Sequence, residues 1–123
     1  MYSFKVTISI SLLLSFLLNA FHARPLKGDL HSRDFSGKAT WYNTGLGACG
    51  QTDNDNESIV ALSYTQYGSG SNCGKKIIIK NPENGNSVTA KVVDKCPGCE
   101  YGSLDLSPAA FKNLGKLDTG VLK

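Results

Sequence analysis

The stretch Val88-Thr89-Ala90-Lys91-Val92-Val93-Asp94-Lys95-Cys96-Pro97-Gly98-Cys99, followed after four residues by Leu104-Asp105-Leu106-Ser107-Pro108-Ala109-Ala110-Phe111, decides the fold class. Its first part is β-branched through Val93 and reads as a strand that Asp94 ends. Its second part announces a helix. Ser107 can cap it, Pro108 suits the first helical position, and Ala109, Ala110, Phe111 and Leu114 supply an apolar face that ends at Gly115. Upstream, Lys75 and Lys80 enclose Ile77-Ile78-Ile79, and Ile59-Val60-Ala61-Leu62 is another short apolar run. Between residues 80 and 87 the Asn84-Gly85 step suits the positive φ angles of a tight hairpin turn. Lys38-Ala39-Thr40-Trp41-Tyr42 follows Gly37 as a further β-prone segment, and residues 43–58, rich in Asn, Gly and Asp, read as a long surface loop around Cys49. Several short strands and one short, late helix predict a mainly β domain.

The other end of the chain sets the compartment. Lys5 precedes an apolar run over residues 6–18; about 13 residues fit a signal-peptide core, whereas a membrane-spanning helix needs about 20. We expect a signal peptide over 1–20, with cleavage after Ala20 or, alternatively, Ala23. Residues 21–36, of mixed charge and without apolar period, then form a linker or pro-segment, and 37–123 the folded domain. That makes the protein secreted and extracellular. Cys49, Cys73, Cys96 and Cys99 are an even number in an exported chain, so two disulfides are expected, and three pairings are open. Without Lys5 the 13 Lys and Arg fall to 12 against 10 Asp and Glu. So slight an excess, spread singly, supports neither nucleic acid nor, after signal cleavage, a membrane as partner.

Both histidines, His22 and His31, precede the domain. Serine and cysteine nucleophile schemes that use a histidine are thereby excluded, and carboxylates remain as the acid–base groups. Cys96 and Cys99 have the spacing of zinc ligands, yet Cys49 and Cys73 do not form a second close pair, so no metal is expected. Nor does a redox role suit the pair, which lacks a βαβ setting. No glycine-rich dinucleotide fingerprint is present, and no cofactor is expected. Asp94 and Asp105 both sit at element ends, where side chains enter clefts; brought close, their repulsion would raise one pKa and make a hydrogen-bond donor for a sugar oxygen. Trp41, Tyr42, Tyr64, Tyr67 and Tyr101 could offer stacking surfaces, although neighbours on a strand face opposite ways, so Trp41 and Tyr42 cannot share one groove. Asn56-Glu57-Ser58 is an N-glycosylation sequon on Asn56.

Five segments together carry a resemblance: Gly37-Lys-Ala-Thr-Trp-Tyr42, Gly45-Leu-Gly-Ala-Cys-Gly50, Asn72-Cys-Gly74, Val92 to Cys99 and Leu104 to Phe111. In order and spacing they resemble the rare-lipoprotein-A-like double-psi β-barrel family, within the expansin and barwin superfamily. The likeness is greatest to small fungal secreted proteins of the riboflavin-aldehyde-forming-enzyme-like type. The resemblance implies a six-stranded barrel with an open groove whose floor holds Asp94 and Asp105, the latter matching the aspartate that expansins need for wall loosening. It also implies that Cys49 pairs with Cys73 and Cys96 with Cys99. Two positions depart from the pattern. Asn43 stands where family 45 endoglucanases carry the catalytic base, and Ser103 replaces the histidine of the expansin His-Phe-Asp motif. Hydrolysis with inversion requires two carboxyl groups about 6.5–9.5 Å apart, so an amide at the base position argues against an enzyme. The barrel also calls for a strand after the helix, of which only residues 120–123 remain, so the last strand is expected to be cut short.

These readings predict a secreted barrel that binds cell-wall polysaccharide, such as chitin, cellulose or another glucan, without hydrolysis. Thr40, Trp41, Tyr42, Asp94, Tyr101 and Asp105 are the candidate binding residues. The alternative is an effector or cysteine-protease inhibitor that uses loop 43–58 against a secreted protease. A third reading is glycan cleavage of the lytic-transglycosylase kind, with Asp105, and Asp94 beside it, as the candidate catalytic acids.

Overall fold

The computed structural model describes residues 34–123. The leader expected over 1–20, most of the linker expected over 21–36, and both histidines lie outside the described residues. The elements are β1 (Ala39–Trp41), β2 (Ile59–Ser63), α1 (Tyr64–Tyr67), β3 (Lys76–Lys80), β4 (Ser87–Cys96), β5 (Leu104–Leu106) and α2 (Pro108–Lys112), followed by a 3₁₀ turn at Leu117–Thr119.

The strands form one mixed sheet in the order β1-β5-β2-β4-β3. β1 runs parallel to β5, and β2 parallel to β4; the β5–β2 and β3–β4 pairs are antiparallel. β2 is central, and all five of its residues are buried. An unbroken apolar run is what a strand covered on both faces requires. β3 lies at an edge. Its Ile79 is buried, while Ile78 is 78 % exposed between Lys76 and Lys80. Flanking lysines discourage another chain from pairing with such an edge. β4 is long enough to serve two neighbours, pairing with β3 over its first half and with β2 over its second. The core joins Val60, Val92 and Leu106 from the sheet to Ala110, Phe111 and Leu114 from the helical segment.

Five strands, not six, are present among the described residues. At the place of the sixth, Leu122 and Ala39 exchange two backbone hydrogen bonds of 2.9 Å, an isolated antiparallel bridge. The helix starting at Ser107 forms as its sequence indicates, with the Ser107 hydroxyl capping Ala110. A second helix, α1, had no counterpart in the sequence pattern; Ser63 caps it, and its four residues are too few to show a period. The β3–β4 connection is also not a tight turn. Among the described residues none other than glycine has positive φ, and Gly85, at 76°, lies within a loop over residues 81–86. A two-residue turn of the Asn-Gly kind needs positive φ at both positions. Here the side-chain amides of Asn81 and Asn84 both donate to the Leu114 carbonyl, at 3.0 and 2.9 Å, and that tertiary tether holds the wider loop.

Disulfides join Cys49 to Cys73 and Cys96 to Cys99, and no cysteine is free. The first ties loop 43–58 to the segment before β3. For a sequence separation of 24, lost loop-closure entropy contributes about 3–4 kcal/mol. The second clips the turn that leaves β4.

Candidate functional site

The register of the sheet draws one row of side chains across four strands. Thr40 on β1 pairs with Asp105 on β5, Asp105 with Ala61 on β2, and Ala61 with Asp94 on β4. The two aspartates therefore flank a single alanine, with backbones roughly 10 Å apart across two strand spacings. A β-bulge makes this possible. Val60 pairs with Val92, but Ala61 pairs with Asp94, leaving Val93 as an extra residue in β4. A strand alternates faces with period two, so Asp94 would otherwise follow the buried Val92 toward the core; the inserted residue brings it to the face of Asp105.

Each member of the row has its own surroundings. Asp94 accepts from the backbone N–H of Ala48 and of Lys95, both at 2.8 Å, and from the Tyr42 hydroxyl at 3.4 Å. Loop 43–58 thus comes down onto β4, where Cys49 N–H also donates to the Val93 carbonyl at 3.1 Å. Gly47 permits that approach, since a Cβ there would stand 2.3 Å from the Val93 oxygen. Asp105 accepts from the Thr40 hydroxyl at 2.9 Å. Burial pushes its carboxyl above the usual range; the Thr40 bond opposes that shift, and the charge of Asp94 adds to it. Burial likewise drives the Tyr42 phenol far above its ordinary value, reinforced by Asp94, Asp105 and Asp53. Tyr42 consequently remains a donor, and the face presents a phenol and a hydroxyl beside two carboxyl groups.

Thr40, Tyr42, Asp94 and Asp105 are brought together, whereas the other candidates lie elsewhere. Trp41 turns to the opposite side of β1, where its indole N–H donates to the Leu117 carbonyl at 3.0 Å. Tyr101 is 64 % exposed and meets Phe35 edge-on with ring centroids 5.8 Å apart. Tyr64 is exposed, and Tyr67 is buried against the core with Lys95 over its ring. The five aromatics accordingly do not make one platform. Asn43 donates to Asp55 at 2.9 Å on the Trp41 side, and its neighbour Thr44 binds the other oxygen of the same carboxylate. Asn56 is exposed in the turn that follows. Ser103 accepts from Lys38 N–H and borders a shallow hollow of about 210 Å³ that reaches Thr40.

One residue of this neighbourhood escaped the sequence reading. Asp53 sits in a loop whose composition indicates solvent, yet it is 9 % exposed, and its Oδ2 atom has no hydrogen-bond partner among the described residues. Its charge acts on Tyr42, which makes it a third carboxylate near the same phenol. No periodicity marks it, because loop residues are buried by how the loop folds back.

A family model described as lytic transglycolase, a double-psi β-barrel family, matches residues 34–123. The papain inhibitor of Streptomyces mobaraensis is 33 % identical over 107 residues, covering 81 % of this chain and 75 % of the inhibitor. A putative EG45-like domain containing protein of Arabidopsis thaliana is 30 % identical over 127 residues, covering 96 % of this chain and 94 % of that protein. Among solved structures, a Clavibacter michiganensis expansin in complex with cellohexaose superposes with a TM-score of 0.64 at 33 % identity, over 72 % of this chain and 46 % of the expansin. This chain thus spans less than half of that expansin. The mixed sheet and these matches agree, and the chain belongs to the double-psi β-barrel family that also holds expansin, EG45-like and papain-inhibitor relatives.

Proposed function

We propose that this protein acts outside the cell as a binding module for cell-wall polysaccharide and does not hydrolyse it. The observation that carries the reading is the row Thr40, Asp105, Ala61, Asp94, which sets a hydroxyl and two carboxyl groups along one face of the sheet. Such a pair can accept from neighbouring sugar hydroxyls. Tyr42 adds a phenol on the same face. Hydrolysis is disfavoured because Asp94 is occupied by three donors and Asn43 lies toward Asp55 rather than Asp105. The expansin complex with cellohexaose supports a glucan as ligand. Two disulfides suit an oxidising compartment, and with them we propose a signal peptide over 1–20, a linker over 21–36, a domain over 37–123 and a glycan on Asn56.

Retention on insoluble cellulose and chitin tests the proposal. Wild type should be held back and Asp105→Ala should pass through; equal passage of both folded proteins on every polymer overturns it. The 33 % identity to a papain inhibitor favours a second reading, in which loop 43–58 contacts a cysteine protease. Inhibition of papain that survives Asp105→Ala but not loop changes selects that reading. Release of anhydro-sugar products, lost in Asp105→Asn, would instead support the glycan cleavage named by the family description.

A further inference from the structure

On the far side of β1 from the aspartates lies a shallow hollow of about 580 Å³, within the roughly 300–1,000 Å³ of small-ligand sites. It is bordered by Trp41, Asn43, Asn56, Pro108, Lys112 and Leu117, and none of Thr40, Tyr42, Asp94 or Asp105 reaches it. We propose that this hollow is a second carbohydrate site, which takes an uncharged pyranose unit of an oligosaccharide.

The chemistry of the walls selects such a ligand. A pyranose has an apolar face of C–H groups and a rim of hydroxyls, and it needs a flat apolar surface with donors and acceptors around it. The Trp41 indole is fixed at its edge by the bond to the Leu117 carbonyl, so its orientation is set before any ligand arrives. A side chain already held loses little freedom on binding. Ala109 and Leu117 extend the apolar surface. The Asn43 amide, the Asp55 carboxylate and the Lys112 ammonium supply both kinds of polar group. The carboxylate is itself set in place by Thr44 and Asn43, whose hydrogen bonds hold it below the usual range. Asp55 and Lys112 offer one charge of each sign at the rim, which gives an anionic or cationic ligand no advantage over a neutral one.

The site is separate from the aspartate face, so the two can fail independently. Trp41 is the single tryptophan of the chain and lines this hollow, so its emission follows binding there, and the variants below separate that from binding on the aspartate face. Cellohexaose and N-acetylchitohexaose should each be titrated into wild type, Asp105→Asn and Ala109→Arg. Ala109 is partly exposed at the hollow, and an arginine there fills the space while the core residues Ala110 and Phe111 stay as they are. A saturable change in emission with at least one hexasaccharide is expected in wild type and in Asp105→Asn, with affinity at least tenfold weaker in Ala109→Arg. A thermal melt establishes that Ala109→Arg is folded. If wild type shows no change with either sugar at millimolar concentration, the inference is overturned. It is equally overturned if Asp105→Asn abolishes the change while folded Ala109→Arg keeps it, since the response would then come from the aspartate face. Loss of polymer retention in Asp105→Ala with the Trp41 response intact would uphold both sites.

Discussion

Thr40 stands directly across from Asp105 in the parallel β1–β5 pair, and its hydroxyl donates to the Asp105 carboxylate at 2.9 Å. That bond lowers the affinity of Asp105 for its proton, against burial and the charge of Asp94, which raise it. Thr40→Val keeps the shape and removes the donor. The Asp105 carboxyl should then titrate at higher pH than in wild type, as followed by carboxyl-carbon NMR. An unchanged or lower titration point would show that the hydroxyl does not tune it.

Asp105 and Asp55 should affect stability with opposite dependence on pH. A carboxyl whose folded-state pKa exceeds the unfolded one contributes fully below the unfolded value, and that contribution is lost as pH rises through the folded value. Asp105 is such a group. For Asp55, held low by Thr44 and Asn43, the contribution is complete above the unfolded value and is lost as pH falls through the folded one. Asp105→Asn, which still accepts from Thr40, should raise the melting temperature near neutral pH and bring no gain at about pH 2. Asp55→Asn should lower it near neutral pH, by an amount that shrinks on acidification. Melts of both variants across pH check the pair of signs.

Ser107 has no solvent exposure and does three things at once. Its hydroxyl donates to the Glu57 carbonyl at 2.6 Å and accepts from the N–H groups of Ile59 and Ala110, both at 3.2 Å. Ser107→Ala removes a helix cap and leaves buried backbone groups unpaired. The expected loss is about 2 kcal/mol, the upper end for caps, read from the urea midpoint. A loss below a few tenths would mean that the neighbouring backbone finds other partners.

The disulfides should differ in weight. Replacing Cys49 and Cys73 by alanine opens a loop with a sequence separation of 24; the cost should be about 3 kcal/mol. Opening the Cys96–Cys99 clip, with a separation of only 3, should cost less, since closure entropy grows with loop length. Urea unfolding of the two double variants ranks them, and the reverse order would contradict the entropic account.

Gly47 tests how the loop is attached to the aspartate. A methyl group there meets the Val93 carbonyl at 2.3 Å, a backbone atom that cannot yield as a flexible side chain would. Gly47→Ala should lift the loop, break the Ala48 to Asp94 hydrogen bond and cost about 1–3 kcal/mol. Faster hydrogen exchange at the Ala48 amide is the direct readout; an unchanged rate would mean that the loop shifts as a unit.

How far the sequence could be read follows from which residues have local signals. Ser107 and Pro108 announce their helix because caps act within one turn, and the whole α2 segment was legible for that reason. β2 and β4 were legible as β-branched runs. The Asn84-Gly85 step misled, because the loop over 81–86 is shaped by two asparagine amides that bind Leu114, some thirty residues away. α1 was invisible for lack of length. Asp94 and Asp105 were named from an expected place at element ends, but Asp94 lies inside β4, which runs on to Cys96, and Asp105 is the middle residue of β5; Asp53 could not be named at all, since burial within a loop leaves no local signal.

The amino-acid order alone determined a mainly β domain with a capped late helix and an even set of cysteines for two disulfides, since strand propensity, capping and residue type are properties of short segments. Tertiary structure decided that the Val93 bulge brings Asp94 level with Ala61 and Asp105, that Trp41 and Tyr42 serve opposite faces, and that the sixth strand is a single bridge at Leu122. These are matters of register between distant strands, and register is set by the packing of the whole sheet.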